Sequence, residues 1–115
     1  MSQDPNCIFC KIVAGQIPSQ KIYEDEELLA FRDIRPAAPV HLLIIPKQHI
    51  VSLVEAKVEH ERLLGRMLTL APRLAQQEGA ANGFRTVINT GPDGGQEVYH
   101  LHVHVMGGPR PWKHG

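Results

Sequence analysis

His100-Leu101-His102-Val103-His104-Val105-Met106 is the stretch whose reading decides the fold. Successive side chains of a β-strand point to opposite faces, so the alternation predicts a strand over Val98 to Met106. Three histidines share one of its faces, and Leu101, Val103 and Val105 share the other. The aliphatic face is what a core requires. On the histidine face, a purely structural role would leave three polar rings to be satisfied side by side. Two chemistries suit such a face. A neutral imidazole can attack an electrophile while its second nitrogen donates a hydrogen bond. His-x-His on a strand also suits a catalytic zinc with an open coordination position. The run Gly91-Pro92-Asp93-Gly94-Gly95 leads into this strand, and glycine-rich loops turn backbone N–H groups toward anions. The loop favours phosphate beside a nucleophilic imidazole.

Working outward, Val40 to Ile45 is a mostly apolar strand ended by Pro46, preceded by two proline breaks at Pro36 and Pro39. Lys21 to Tyr23 and Leu28 to Arg32 read as a hairpin, with Glu24 to Glu27 its solvated acidic turn rather than a site. Gly83 to Asn89 alternates well enough for a further strand. Helical spacing of Ile8, Phe9, Ile12 and Val13 predicts a short helix over Cys7 to Ala14, closed by Gly15. From Ser52 the pattern turns helical up to Gly79, with Leu63, Leu64, Met67, Leu68, Leu70, Ala71, Leu74 and Ala75 on its apolar face and Pro72 as a kink or break. The expectation is an α+β fold: a mostly antiparallel five-stranded sheet, one main helix and a short N-terminal helix, with the helices covering one side.

The 115 residues, 43% hydrophobic and 21% charged, make room for one domain over residues 1–115. Twelve Lys+Arg balance twelve Asp+Glu, so there is no basic surplus for a nucleic acid polymer. Val40 to Pro46, interrupted by His41, is too short for a bilayer span, and the N-terminus has no secretory pattern. A cytoplasmic protein without a membrane partner is expected. Cys7 and Cys10, three residues apart, read as a metal or redox pair rather than a disulfide framework.

His100 to Met106 resembles the His-φ-His-φ-His-φ-φ signature of the histidine triad superfamily of nucleotide hydrolases and transferases. Gly94-Gly95-Gln96-Glu97-Val98-Tyr99 before it and Gly107-Gly108 after it are similar to the Hint branch, the purine nucleoside phosphoramidases. So are Ile8-Phe9, Lys11-Ile12, Ile17-Pro18, Ala30-Phe31-Arg32-Asp33-Ile34, Pro39-Val40-His41 and Ile45-Pro46-Lys47, which together span nearly the whole chain.

The resemblance implies hydrolysis of the P–N bond in purine nucleoside 5′-phosphoramidates, AMP-lysine among them, by a homodimer in which two sheets meet. His102 would be the nucleophile that forms a nucleotidyl-histidine. His100 would orient that ring through its backbone, and His104 would contact phosphate oxygens or the leaving group. His41 would lie behind the triad and complete its polar network. Asp33 matches the carboxylate that binds ribose hydroxyls; without the resemblance it reads as a turn aspartate. Phe9, Ile12, Ile17, Phe31 and Ile34 match the base pocket, while Asn89, Gly95, Gln96, Glu97 and Val98 fall on the phosphate side.

Two departures bear on the leaving group. Glu97 stands where eukaryotic relatives carry a serine that reaches the phosphoramidate nitrogen, and a carboxylate there would repel phosphate unless turned away or protonated. Trp112, in the short tail, is out of register with the tryptophan that relatives send toward the partner's site.

Cys7-x-x-Cys10 is similar to a structural zinc site of some superfamily members, which would be completed here by His49 and His100. Two thiolates and two imidazoles form a closed site that serves structure and leaves catalysis without a required cofactor. The cysteines alone equally suit a helix that buries two small side chains. His60 and His114 fit no constellation and are expected in solvent. The other functional classes are a nucleotidyl hydrolase or transferase acting on dinucleoside polyphosphates, and a nucleotide-binding scaffold with residual activity.

Overall fold

The computed structural model describes residues 4–109. Five strands, β1 (Lys21–Glu24), β2 (Leu28–Arg32), β3 (Val40–Pro46), β4 (Phe84–Val87) and β5 (Val103–Gly107), form one sheet in the order β1-β2-β3-β5-β4. Every pairing in it is antiparallel. Helix α1 (Ile8–Val13) precedes the sheet, and α2 (Glu61–Gln77) crosses over between β3 and β4. The α+β architecture with one main helix and a short N-terminal helix is therefore as expected.

Alternation divides the core in two. Leu42 and Ile44 of β3 pair with Val105 and Val103 of β5, and these side chains pack with Leu63, Met67, Leu70, Ala71 and Leu74 of α2. The intervening residues, Leu43 and Ile45, join Leu29 and Phe31 of β2 against Phe9, Cys10 and Ile12 of α1. The helices thus lie on opposite faces of the sheet, a correction to the one-sided covering. Helix α1 is too short to cover its face, and the uncovered part holds the histidines.

The acidic turn is a clamp. Asp25 accepts the Glu27 and Leu28 N–H groups, both at 2.8 Å, and Tyr23 Oη–H donates to Asp25 at 2.7 Å. Arg66 of α2 bridges Asp25 and Glu27, and Arg62 joins Glu27, tying the hairpin to the helix.

Several boundaries differ from the sequence reading. The last strand begins at Val103 instead of Val98, because its β3 partner ends in Pro46, which has no N–H to extend the ladder. The Pro46 carbonyl instead accepts from the His100 ring at 2.7 Å, and the Leu101 N–H donates to the Ile50 carbonyl at 2.6 Å. Likewise β4 shrinks to Phe84–Val87. The segment from Ser52 makes two 3₁₀ turns, Leu53–Glu55 and Val58–His60, before α2 starts at Glu61; Ser52 Oγ caps the first of them by accepting the Val54 N–H. His60 is half-buried, not solvated: its Nδ1 accepts the Lys57 N–H at 3.0 Å at the mouth of α2. Helix α2 runs through Pro72 without a break, since Pro72 and Leu68, whose carbonyl loses its donor, both face solvent. Leu68 is consequently outside the apolar face. Trp112 and His114 lie outside the described residues.

Candidate active site

A cavity of about 510 Å³ opens on the α1 face of the sheet, a volume suited to a small-molecule ligand. Phe9 and Ile12 of α1, Ile17, Phe31 of β2 and the largely exposed Ile34 make its apolar end. Asp33 and His41 come from the ends of β2 and β3, and His102 and His104 from the β5 segment. Asn89, Gly95, Glu97 and Val98 complete the wall.

Hydrogen bonds fix which ring nitrogen carries each proton. His102 Nδ1–H donates to the His100 carbonyl at 2.7 Å, leaving Nε2 as the free lone pair. The Ala37 N–H donates to His41 Nδ1 at 2.9 Å, so the hydrogen of that neutral ring is on Nε2. His41 Nε2–H in turn donates to His104 Nδ1 at 2.9 Å, with Asp33 Oδ2 also 3.4 Å from it. The hydrogen of His104 is therefore on its own Nε2. The directed chain of hydrogen bonds runs from the Ala37 N–H through His41 to His104 and ends in the His104 Nε2–H, a donor on a cavity residue, with Asp33 sharing the His41 Nε2–H.

Burial sets the charge state of these rings. It lowers the pKa of His102, against the opposing pull of the His100 carbonyl and Asp33. His41 is lowered by burial while Asp33 opposes. His104 is pushed down to about 4 by burial and by its neighbours His102 and His41. All three are neutral imidazoles at pH 7, as a nucleophile and its hydrogen-bonding partners need to be. Phe9 supports the nucleophile edge-on, its ring centroid 5.2 Å from that of His102.

Most of the residues singled out in the sequence meet in this cavity, and Gln96 does not. Its buried side chain braces the loop instead: Oε1 accepts the Gly91 N–H at 2.9 Å, and Nε2 donates to the Val51 and Val98 carbonyls at 2.8 and 3.1 Å. Asp33 serves both of the roles weighed for it, since Oδ1 accepts the Arg35 N–H at 2.8 Å in a turn while Oδ2 faces His41. Missed from sequence were Ile8, Leu43, Ser19 and Arg35 in the wall, and the Ala37 N–H that sets the His41 tautomer. A backbone donor leaves no signal in residue types. Ser19 Oγ is, among the described residues, the one buried side-chain polar atom without a hydrogen-bond partner, which no sequence pattern marks.

Beside the cavity, Cys7 and Cys10 of the α1 start meet His49 and His100, with all four potential ligand atoms within 4.8 Å of one another. His100 Nε2–H donates to the Pro46 carbonyl, so Nδ1 presents its lone pair to Cys7 Sγ at 3.3 Å, Cys10 Sγ at 3.5 Å and His49 Nδ1 at 3.2 Å. Zinc bonds of about 2.0–2.3 Å in a tetrahedron hold donors roughly 3.3–3.8 Å apart. The donor set and spacing fit zinc. Burial pushes the Cys10 thiol up to about 11, and a cation is what converts such a thiol to a ligating thiolate.

The fold and the cavity define the class of protein: a small α+β domain whose sheet carries a histidine-lined pocket of small-molecule size. The family model described as the HIT domain matches residues 14–110. A purine nucleoside phosphoramidase of Escherichia coli K12 is 51% identical over 102 residues, covering 88% of this chain and 86% of that protein. A 14 kDa zinc-binding protein of Zea mays is 51% identical over 107 residues, covering 91% and 84%. A solved HIT family hydrolase from Clostridium thermocellum superposes with a TM-score of 0.93 at 42% identity, covering 97% of this chain and 98% of that one. The chain belongs to the HIT family, a family of hydrolases.

Proposed function

We propose that this protein hydrolyses the P–N bond of purine nucleoside 5′-phosphoramidates of the AMP-amine and AMP-lysine type, through a nucleotidyl-histidine on His102. The observation that carries the reading is the His102 ring, with Nδ1–H held by a backbone carbonyl at 2.7 Å and Nε2 left as a free lone pair on a cavity residue. The phosphoramidase name of the Escherichia coli relative supports the substrate class.

The base lies between Phe9, Ile12, Ile17, Phe31 and Ile34, and the Asp33 carboxylate accepts from the ribose hydroxyls. Asn89, Gly95 and Val98 flank the phosphate. His102 Nε2 attacks the α-phosphorus, and an N–P bond forms as the bond to the amine breaks. The amine departs with the bonding pair and takes a proton from water, while the His104 Nε2–H donates a hydrogen bond to a phosphate oxygen. His41 holds His104 in that tautomer, and the His100 carbonyl and the Asp33 carboxylate stabilise the positive charge that His102 gains on attack. Water then attacks the same phosphorus, His102 leaves as the neutral ring, and the proton of that water passes to solvent. Two displacements replace one difficult hydrolysis.

Cys7, Cys10, His49 and His100 belong to the same proposal as ligands of a structural zinc, supported by the spacing of their donor atoms and by the name of the maize relative. When bound, the metal clamps α1 to the start of the catalytic segment and supplies no chemistry at phosphorus. Catalysis requires no cofactor. The proposal is completed by one domain over residues 1–115 acting as a cytoplasmic homodimer whose two sheets meet. Among the described residues β4 is an edge strand of the sheet, where such a pairing can form, and no described helix is long and apolar enough to cross a membrane.

Comparison of kcat/KM on an adenosine 5′-phosphoramidate and on a dinucleoside polyphosphate tests the assignment. The phosphoramidate is expected to be the better substrate. The reverse preference would make the protein a nucleotidyl hydrolase of P–O–P bonds.

A further inference from the structure

Glu97 is an exposed carboxylate in the cavity wall, and among the described residues no side chain or N–H group engages it. Its position is nonetheless fixed. The buried Gln96 side chain ties Gly91, Val51 and Val98 together, so the backbone on both sides of Glu97 is held. Glu24, Asp25, Glu27 and Glu78, by contrast, sit in ion pairs with Lys or Arg.

The charge of the cavity follows from the same contacts. Of the Asp, Glu, Lys and Arg side chains in its wall, Arg32 is paired with Glu78. That leaves Asp33 and Glu97 against Arg35, a neighbour of Asp33 on the ribose side. With base and ribose at the apolar end and the phosphate beside Gly95 and Val98, Glu97 lies on the phosphate stretch of the wall, the end from which the leaving chain extends.

We infer that Glu97 selects the leaving group, favouring amines that carry a second, cationic ammonium group and disfavouring anionic ones such as phosphate chains. The inference rests on the proposed phosphoramidase reading, and it gives that site a substrate class. An exposed ion pair with a bound ligand is a modest effect, about three- to tenfold, and falls as salt rises.

The test uses AMP joined through nitrogen to three chains of equal length ending in ammonium, hydroxyl or carboxylate. The wild type is expected to show about three- to tenfold higher kcat/KM on the ammonium chain than on the hydroxyl chain. Glu97→Gln removes that preference, and Glu97→Lys transfers it to the carboxylate chain. In parallel, Kd is measured for analogues with methylene in place of the bridging N–H, carrying the ammonium and hydroxyl ends. Turnover without any Glu97-dependent preference overturns this inference and leaves the phosphoramidase reading standing. Absence of turnover with a Glu97-dependent preference in Kd overturns that reading and leaves the charge selection standing. Absence of both turnover and binding overturns both.

Discussion

The ring of His102 is oriented by the backbone of His100, its Nδ1–H donating to the His100 carbonyl at 2.7 Å, while the His100 ring itself stands among Cys7, Cys10 and His49. One residue thus joins the catalytic segment to the zinc-type donor set. The consequences for pH, for metal and for the glycine loop can each be measured.

Burial lowers the pKa of His102, so the nucleophile stays neutral to lower pH than a free imidazole. The acid limb of kcat/KM should fall below the ordinary value of about 6.5. A pH–rate profile with its acid limb at or above that value would contradict the buried, neutral ring. Stability shares this direction. His104, pushed down to about 4 in the folded state, takes its proton later than the unfolded chain does. Below pH 6.5 the unfolded state binds more protons, so stability is complete above that pH and declines as the pH falls toward 4. The decline from this group is on the order of 3 kcal/mol. Denaturant midpoints at pH 7.5 and 4.5 report it, and His104→Gln should remove this group's share of the dependence, leaving the part that His41 and His102, lowered in the same direction, contribute.

Removing a metal from the Cys7, Cys10, His49 and His100 set should cost stability rather than chemistry. A strong chelator or Cys10→Ser is expected to abolish zinc content and lower stability by on the order of 3 kcal/mol, a Tm drop of roughly 10 °C or more. Turnover per folded molecule should change by less than about threefold, because a closed site activates no water. Metal analysis, a thermal melt and an activity assay on one preparation check all three outcomes.

A methyl group at Gly94 would lie 2.2 Å from the Thr90 carbonyl oxygen and 2.8 Å from the Thr90 nitrogen, both rigid backbone atoms. Gly94→Ala must open the turn over residues 91–95 and displace Gly95 and Glu97 from the cavity wall. A misplacement of about 1 Å can cost up to a hundredfold in rate, so kcat/KM should fall at least about tenfold. Tm should move by only a few degrees, since this turn lies outside both packed cores. Kinetics beside a melt separate the two effects.

The sheet was legible where alternation was strict. Leu42 and Ile44 on one face and Leu43 and Ile45 on the other form an apolar strand buried on both sides, and the six-residue α1 announced itself by its spacing and by Gly15. The elements misread were those decided by a missing backbone donor or by side chain–backbone bonds. Pro46 cuts β5 short, Ser52 and His60 cap turns where a helix was expected, and exposure of Leu68 lets α2 pass Pro72. At the site, the residue types pointed to the cavity through family resemblance. The tautomers came only from coordinates, because the Ala37 N–H and the His100 and Pro46 carbonyls that set them belong to no side chain. Gln96 lies in the expected loop, but its amide bonds backbone groups and it stays out of the cavity.

Covalent catalysis by His102 is tested most directly by hydrolysis of an adenosine 5′-phosphoramidate with the purified protein and its His102→Ala variant, each with and without a strong chelator. Turnover that resists the chelator and vanishes in the folded variant is the predicted result. Turnover that persists in His102→Ala, or that chelation abolishes and zinc restores in a protein that stays folded, would contradict it.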